Sequence, residues 1–181
     1  KKKKKVFSWI LFAALFATML SQLYKVFPYS SLFPRRSRIK AESDGHVSIL
    51  AGNVLQTNSC YPDFLKEIKR FDADLVLTME SNQEWEDCLS EIEKDYPFTV
   101  KVPLENFYGM HLYSKKELKN VEVKYQIEDD KPSIFFDFPL EGNPPIFFCC
   151  LHPAPPSPTE NETSKERDAE LMLTGKRIRD L

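Results

Sequence analysis

The feature that most constrains this chain is an uncharged segment near its N-terminus. Residues Val6–Tyr24 contain no charged side chain, and the lysines Lys1–Lys5 come directly before them. A helix needs about 20 apolar residues to cross the roughly 30 Å hydrocarbon core of a bilayer, so the segment is just long enough to span one. Trp9 and Tyr24 stand near its two ends, where amphipathic rings favour the membrane interface. We predict a membrane anchor over residues 1–27.

Two other interpretations of this segment are a signal peptide and a buried amphipathic helix. The apolar run is long for a signal peptide, and Lys25, Pro28 and Pro34 follow it where a small-residue cleavage site would be expected. The positive-inside rule does not clearly decide the orientation of this helix in a membrane, because its two flanks carry equal numbers of basic residues. Five lysines precede the apolar segment, and five basic residues follow it: Lys25, Arg35, Arg36, Arg38 and Lys40.

Charge divides the chain into two parts. Residues 1–40 carry ten Lys/Arg and no acid, whereas residues 41–181 carry fifteen Lys/Arg and twenty-seven Asp/Glu, a balance of −12. Phosphate binding along nucleic acid needs many basic residues, so the acidic part disfavours a duplex-DNA binder with a broad basic surface. Five glycines cannot form a glycine-rich phosphate loop, and four cysteines without a CxxC pair exclude a disulfide scaffold.

Strands and helices alternate after a basic, proline-containing linker at residues 28–45. The segments HVSILAGNVL and DADLVLTME are predicted strands, because each is apolar and ends in polar residues. Apolar residues at helical spacing predict a helix over Tyr61–Phe71, and a Ser81–Glu84 capping box predicts the start of another. This order, followed by strands, predicts a layered α/β (α+β) sandwich over residues 46–181, with two mixed or antiparallel sheets flanked by helices.

The C-terminal part of the pattern is strand-rich and ends in a helix. Five strand-like segments follow between residues 98 and 151: FTVKVP, GMHLYS, VEVKYQI, SIFFDFPL and PIFFCCL. The last helix is predicted to begin at a Thr163–Glu166 capping box. This helix contains the apolar residues Ala169, Leu171, Met172 and Ile178.

Three polar side chains stand at predicted strand ends: Asn53, Glu80 and His152. Ligands of layered α/β folds collect at such positions. Each residue also has an ordinary structural interpretation. Asn53 can terminate a strand with a side-chain turn, Glu80 can be an exposed residue before a helix, and His152 can be a half-buried loop residue.

The segments around these residues resemble the endonuclease/exonuclease/phosphatase superfamily. They are LAGNVLQTN around Asn53, DADLVLTMES around Glu80 and CCLHPAPPSP around His152. Between them, FYGMHLYSKKEL resembles the strand and turn that the family places in mid-domain. The segments LYKVFPYSSLFP and PSPTENETSKERDAEL are similar to bacterial membrane-anchored members, and the resemblance extends over residues 22–181.

The resemblance implies a four-layer sandwich that hydrolyses phosphate esters with a divalent cation, Mg²⁺ or alternatively Mn²⁺, in a cleft between the sheets. It implies that Glu80 is a metal ligand, since hard cations prefer carboxylate oxygen. It further implies that Asn53 and His152 are catalytic and phosphate-binding, Asn53 through metal-bound water or a phosphate oxygen and His152 at the scissile phosphate. The implied substrate is a small phosphodiester, a lipid headgroup or nucleic acid, and the oligomeric state stays open.

The family completes its site with Gly-Asp-x-Asn, a further Asp and Ser-Asp-His, none of which occurs in this sequence. We therefore expect an N-terminal part of the domain, incomplete in this chain, with residues 41–181 inactive on their own. The bacterial resemblance places the anchor in an inner membrane, as a single or last helix, and favours the periplasmic side. The alternative function is a non-catalytic membrane-tethered interaction domain that retains the fold. A binding protein unrelated to phosphate chemistry would require the ordered matches to be accidental.

Other polar residues have weaker functional interpretations. His111 lies in a predicted strand and is interpreted as a local variation, not a ligand. Cys149 and Cys150 are strand neighbours whose side chains point to opposite faces, so they make no metal site. Arg167 at a helix start is interpreted as a solvated residue, with phosphate binding as the alternative. Asn161 begins a sequence of the glycosylation type, which has no meaning in a bacterial protein.

Overall fold

The computed structural model describes residues 2–27, 46–155 and 163–181, and the chain divides into two units, residues 1–43 and 44–181. The predicted linker and Asn161 lie outside the described residues. The first unit contains helix α1 (Lys2–Val26). Its segment Lys4–Val26 is long and apolar enough to cross a membrane by length and composition, and its side chains are exposed.

The second unit alternates strands and helices before it becomes strand-rich, in the predicted order. Its helices are α2 (Tyr61–Phe71), α3 (Gln83–Leu89), which continues as a 3-10 helix (Ser90–Lys94), and α4 (Lys165–Arg179). Its strands are β1 (Ile49–Asn53), β2 (Leu75–Met79), β3 (Phe98–Val102), β4 (Met110–Ser114), β5 (Lys119–Lys124), β6 (Ser133–Leu140) and β7 (Asn143–Cys150).

The strands form two sheets. The first has the order β1-β2-β4-β3 and is mixed, because β1 and β2 run parallel while β4 is antiparallel to both of its neighbours. The second has the order β5-β6-β7 and is antiparallel. Parallel strands need a long crossover, which α2 supplies between β1 and β2. The predicted two-sheet α/β sandwich is confirmed.

Two apolar cores hold the layers together. Alternation along β4 separates them, because Met110 and Leu112 face the second sheet whereas Tyr113 faces the helices. The outer core packs helices α2 and α3 on the first sheet through Ile68, Val76, Trp85, Leu89, Ile92 and Tyr113. The inner core lies between the sheets and contains Leu75, Met110, Leu112, Ile134, Phe136, Phe138 and Cys150.

Helix α3 begins one residue later than the predicted capping box requires. Asn82 is its N-cap, and the Asn82 side chain accepts a hydrogen bond from the Trp85 N–H at 3.2 Å. The Ser81 hydroxyl is buried and accepts a hydrogen bond from the Thr78 hydroxyl at 3.0 Å. The predicted Ser81–Glu84 capping box is therefore wrong, since Asn is at least as good a cap as Ser and here reaches the free N–H.

Helix α4 also differs from its prediction at its start. The helix begins at Lys165 after an N-cap, Ser164, whose side chain makes no capping hydrogen bond. The Ser164 hydroxyl instead donates to the Asp168 carboxylate at 2.7 Å. The predicted Thr163–Glu166 capping box is therefore not formed.

The buried face of helix α4 is polar. Glu170 and Thr174 are buried, whereas Leu171, Met172 and Ile178 are exposed. The Ser133 hydroxyl donates to Glu170 at 2.5 Å, the Gln126 amide donates to Thr174 at 3.1 Å, and the Arg177 guanidinium lies 4.3 Å from the centre of the Phe135 ring. The same guanidinium lies 5.3 Å from the centre of the Phe147 ring, so hydrogen bonds and two cation–π contacts orient this helix on the second sheet.

His111 is a fully buried residue of β4. Neither of its ring nitrogens has a hydrogen-bond partner within the described residues. Burial, assisted by the positive charge of Lys101 on β3, lowers the pKa of His111 to about 4. The imidazole is therefore held neutral inside the fold at physiological pH.

We expect His111 to make the domain acid-sensitive. In the unfolded chain the ring binds a proton near pH 6.5, whereas the folded protein resists protonation until about pH 4, so the unfolded state gains stability as pH falls through this window. The expected loss of unfolding free energy is about 3 kcal/mol. Denaturant unfolding at a series of pH values measures it. His111→Leu should remove this part of the pH dependence of the unfolding free energy. His46→Leu, a control at an exposed histidine, should keep it. The same pH dependence in His111→Leu and in wild type would contradict the expectation.

Candidate active site

Asn53 and Glu80 meet because their strands are parallel and in register. Asn53 pairs with Met79 at the carboxyl ends of β1 and β2, and Glu80 follows directly. The Asn53 amide nitrogen donates to Glu80 Oε1 at 2.5 Å, and Asn53 Oδ1 accepts from the Leu55 N–H at 3.1 Å. The Asn53 side chain therefore fixes both the carboxylate and the turn that leaves the strand.

His152 reaches the same place from the second sheet. It follows the end of β7, and its Nε2 lies 3.8 Å from Glu80 Oε1. The side chains of Glu80 and His152 are 18% and 20% exposed, so both remain accessible from a cleft of about 700 Å³. The described residues lining this cleft are Asn53, Leu55, Glu80, Asn106, Phe107, Tyr108, His152, Pro153 and Pro155.

The three predicted site residues therefore lie in one cleft, and their roles remain predictions. An amide, a carboxylate and an imidazole together can bind a cation, accept and donate hydrogen bonds, and neutralise an anion.

The other polar residues considered in the sequence are not among the described residues that line this cleft. Arg167 forms an ion pair with Asp168 at 2.8 Å on the surface of α4. Cys150 is buried in the inner core while Cys149 is partly exposed.

Backbone conformation singles out the same cleft. Within the described residues, five non-glycine residues have positive φ: Leu55, Asp72, Glu80, Phe107 and Asn120. Asp72 caps the end of helix α2 and Asn120 lies in a strand irregularity, but Leu55 (φ 59°), Glu80 (φ 60°) and Phe107 (φ 67°) all line the cleft. Such conformations cost about 1–3 kcal/mol each and cluster at functional sites.

A hydrogen-bond network behind the cleft joins three loops. The Glu105 carboxylate accepts from the Asn82 amide at 3.1 Å and from the Gln56 amide at 3.3 Å. Gln56 Oε1 in turn accepts from the Phe107 N–H at 2.8 Å. Glu105 thus ties the loop after β1 and the start of α3 to the segment before β4, and sequence analysis missed it because nothing local marks this acid.

The segment from Asn106 to Tyr108 forms one wall of the cleft. Asn106 donates to the backbone carbonyl of Asp130 at 3.0 Å and accepts from the Tyr108 N–H at 3.0 Å. The Tyr108 ring lies 5.4 Å from the His152 ring, and Lys131 Nζ lies 4.7 Å from the centre of the same tyrosine ring. The sequence signal that could have identified this wall was the aromatic pair Phe107 and Tyr108 inside a polar turn.

The oxygen donors at this cleft fit a hard divalent cation. No group of three or more His, Cys, Asp or Glu side chains in residues 2–27, 46–155 and 163–181 is arranged to hold a metal. Mg²⁺ does not require such a cluster, because it keeps several waters and is commonly bound through one or two carboxylates and substrate phosphate. Glu80 would hold the cation, with the oxygen of Asn53 available to one of its waters.

Comparisons with known proteins agree on the fold. The model of the Endonuclease/Exonuclease/phosphatase family matches residues 53–181. Structures similar to this chain include truncated Caenorhabditis elegans TDP2 (TM-score 0.62, 12% identity, 74% of this chain and 55% of that chain). Another is humanized D. rerio TDP2 (TM-score 0.61, 14% identity, 76% and 57%). A third is C. elegans TDP2 (TM-score 0.63, 15% identity, 99% and 61%).

The low identities to these structures establish the fold alone. This chain spans somewhat more than half the length of these three structures, from 55% to 61% of each. A search of curated proteins found no match.

Proposed function

The chain belongs to the endonuclease/exonuclease/phosphatase family, and from that membership we propose that the full-length protein is a membrane-anchored, Mg²⁺-dependent phosphoester hydrolase. Residues 1–27 would be the anchor, 28–45 the linker and 46–181 part of the catalytic domain. The convergence of Asn53, Glu80 and His152 at one cleft is the observation that carries the proposal.

Each of the three side chains has a distinct task in this proposal. Glu80 holds the cation, which when bound neutralises charge on the phosphoryl group. Asn53 keeps the Glu80 carboxylate in place through the 2.5 Å hydrogen bond, and the Glu80 side chain remains 18% exposed. His152 donates a hydrogen bond to a phosphate oxygen and so stabilises the negative charge that develops during attack by water.

The lining of the cleft favours a small ester over a long polyanion. None of its described lining residues is Lys or Arg. Long nucleic acids bind through many phosphate contacts to basic side chains, and residues 41–181 have an excess of acids. A substrate with one or two phosphates requires less positive charge and suits this cleft better.

Metal removal tests the proposal. The complete protein should hydrolyse a small phosphodiester in Mg²⁺, lose at least about 100-fold of that rate in excess EDTA, and recover it when Mg²⁺ is restored. Phospholipid vesicles and nucleic acid should be assayed in parallel to rank substrate classes. Turnover that EDTA leaves unchanged would contradict the metal role, and absence of turnover on every ester would favour the non-catalytic interaction domain.

A further inference from the structure

Glu105 is held by protein contacts although it is an exposed acid that is not among the described residues lining the cleft. Its Oε2 atom accepts hydrogen bonds from the Asn82 amide at 3.1 Å and from the Gln56 amide at 3.3 Å. An exposed acid is ordinarily solvated and needs no fixed protein partner. Two amides from separate segments of the chain that donate to one oxygen therefore indicate that this carboxylate connects those segments.

The contacts of Gln56 lead to the Glu80 carboxylate. Gln56 directly follows Leu55, whose N–H donates to Asn53 Oδ1 at 3.1 Å. The amide nitrogen of the same Asn53 side chain donates to Glu80 Oε1 at 2.5 Å. A displacement of Gln56 would therefore be transmitted through the turn after β1 to the side chain that would hold a cation.

The contacts of Asn82 lead back to Glu80 from the other side. Asn82 is 7% exposed, lies two residues after Glu80 and is the N-cap of α3. Its Oδ1 accepts from the Trp85 N–H at 3.2 Å, while its amide nitrogen donates to Glu105. Hydrogen bonds and short stretches of backbone thus form a closed path from Glu80 through Glu105 and back. We call the residues on this path the Glu105 network: Asn53, Leu55, Gln56, Glu80, Asn82 and Glu105.

The Glu105 network contains two strained residues. Glu80 has φ 60° and Leu55 has φ 59°, in a region that residues other than Gly, Asn and Asp rarely adopt. Such conformations persist only where the surrounding contacts over-determine them. A carboxylate held in one orientation beforehand also binds a cation better than one that must first be ordered, because less conformational entropy is lost. The closed path supplies contacts of this kind on both sides of Glu80.

We propose that Glu105 is a positioning residue that keeps the Glu80 carboxylate oriented for a divalent cation. The inference rests on the proposed function, because Glu80 is the residue that would hold the cation. Glu105 acts through Asn82 and Gln56 and touches neither the cation nor the substrate. Its loss should therefore weaken cation binding and leave binding of the ester almost unchanged.

The test measures Mg²⁺ affinity of the full-length protein by calorimetry. Glu105→Ala should weaken Mg²⁺ binding about tenfold, the lower end of what the loss of a supporting hydrogen bond costs a metal site. At saturating Mg²⁺ the KM for a small phosphodiester should stay within about twofold of wild type, because no substrate contact is lost. Glu117→Ala is the matched control, since Glu117 is an exposed acid that accepts from Lys119 at 2.7 Å away from the cleft lining. It should leave both quantities unchanged.

Two further measurements separate positioning from a simple attraction between charges. Glu105→Gln removes the charge but keeps one acceptor oxygen, so it should retain part of the Mg²⁺ affinity that Glu105→Ala loses. The loss in Glu105→Ala should also persist in about 0.5 M salt, which screens charges that are farther apart than a few ångströms. A loss that salt abolishes, or an equal loss in both variants, would show that Glu105 acts as a distant charge and would overturn the inference.

Gln56→Ala breaks the same path at a second point and provides a coupling test. Alone it should weaken Mg²⁺ binding to a similar degree, and combined with Glu105→Ala it should add less than about twofold, because the two residues belong to one network. Independent action would instead give about a hundredfold loss in the double variant, and that result would overturn the inference. Wild-type Mg²⁺ affinity in Glu105→Ala would overturn it as well, and would leave the hydrolase intact.

Hydrogen exchange of the metal-free protein tests the Glu105 network without the cation. The Leu55 N–H, which donates to Asn53, should exchange faster in Glu105→Ala and in Gln56→Ala than in wild type. Exchange at the wild-type rate in both variants would overturn the inference. A wild-type protein that neither binds Mg²⁺ nor hydrolyses any ester would refute the proposed function instead, and faster exchange at Leu55 would then still support the role of Glu105 in positioning Asn53 and Glu80.

Discussion

Replacing Glu80 with Gln is expected to lower metal-dependent turnover by about 10³-fold, because the amide cannot supply the negative charge that holds a divalent cation and the cation contributes several kcal/mol to the transition state. The same change keeps the shape of the side chain and an oxygen for the Asn53 amide, which now donates at 2.5 Å. The domain should therefore remain folded. Steady-state kinetics, Mg²⁺ titration and thermal unfolding measure the three effects.

Glu84→Gln is the matched control, because Glu84 is an exposed acid of helix α3 four residues further along. It should leave turnover within about twofold of wild type, as expected of a surface substitution. Wild-type rates in Glu80→Gln would show that Glu80 is not part of the site.

A second variant tests the backbone strain at this position, since Glu80 has φ 60° and glycine adopts that conformation freely. Glu80→Gly should be as inactive as Glu80→Gln yet lose no stability.

Periodicity in the sequence predicted the parts of the fold that depend on local order. The range Tyr61–Phe71 was predicted for α2 and is observed, because its apolar spacing and a proline in the first turn both act within the helix. The proximity of Asn53 and Glu80 could also be predicted from the sequence, because parallel neighbouring strands end at the same edge of a sheet. His152 comes from the other sheet, so only the resemblance placed it beside them.

The sequence could not predict features that depend on tertiary contacts. Leu171 and Met172 satisfy an apolar helical pattern, yet α4 buries Glu170 because Ser133 on the neighbouring sheet donates to it. Likewise, no local rule places Phe107 in the left-handed region, since the hydrogen bond from its N–H goes to Gln56 in another loop. Leu55 and Phe107, two of the three strained residues of the cleft, are therefore the ones that sequence reasoning missed, whereas the third, Glu80, was predicted.

The largest expected loss of stability comes from adding one methyl group at Gly109. A Cβ there would lie 1.8 Å from the Ser81 carbonyl oxygen and 2.7 Å from the Leu104 nitrogen, both backbone atoms that cannot rotate away. The Gly109 carbonyl also accepts a hydrogen bond from the Ser81 N–H at 3.1 Å, so the two segments of the chain are held together at this contact. Gly109→Ala should lower the free energy of unfolding by about 4 kcal/mol or more, since backbone must shift on both sides.

The same substitution should also impair the site, because Ser81 directly follows Glu80 and any displacement moves the carboxylate. Chemical denaturation measures the loss of stability. Steady-state kinetics at denaturant concentrations below the unfolding transition of the variant measure the loss of activity. Gly175→Ala is the control: its new Cβ meets no atom within 4 Å, and alanine favours the helix. It should stabilise the domain by about 0.5–1 kcal/mol. A Gly109→Ala protein within 1 kcal/mol of wild type would show that Ser81 and Leu104 can separate, and Glu80 would then not be held by this contact.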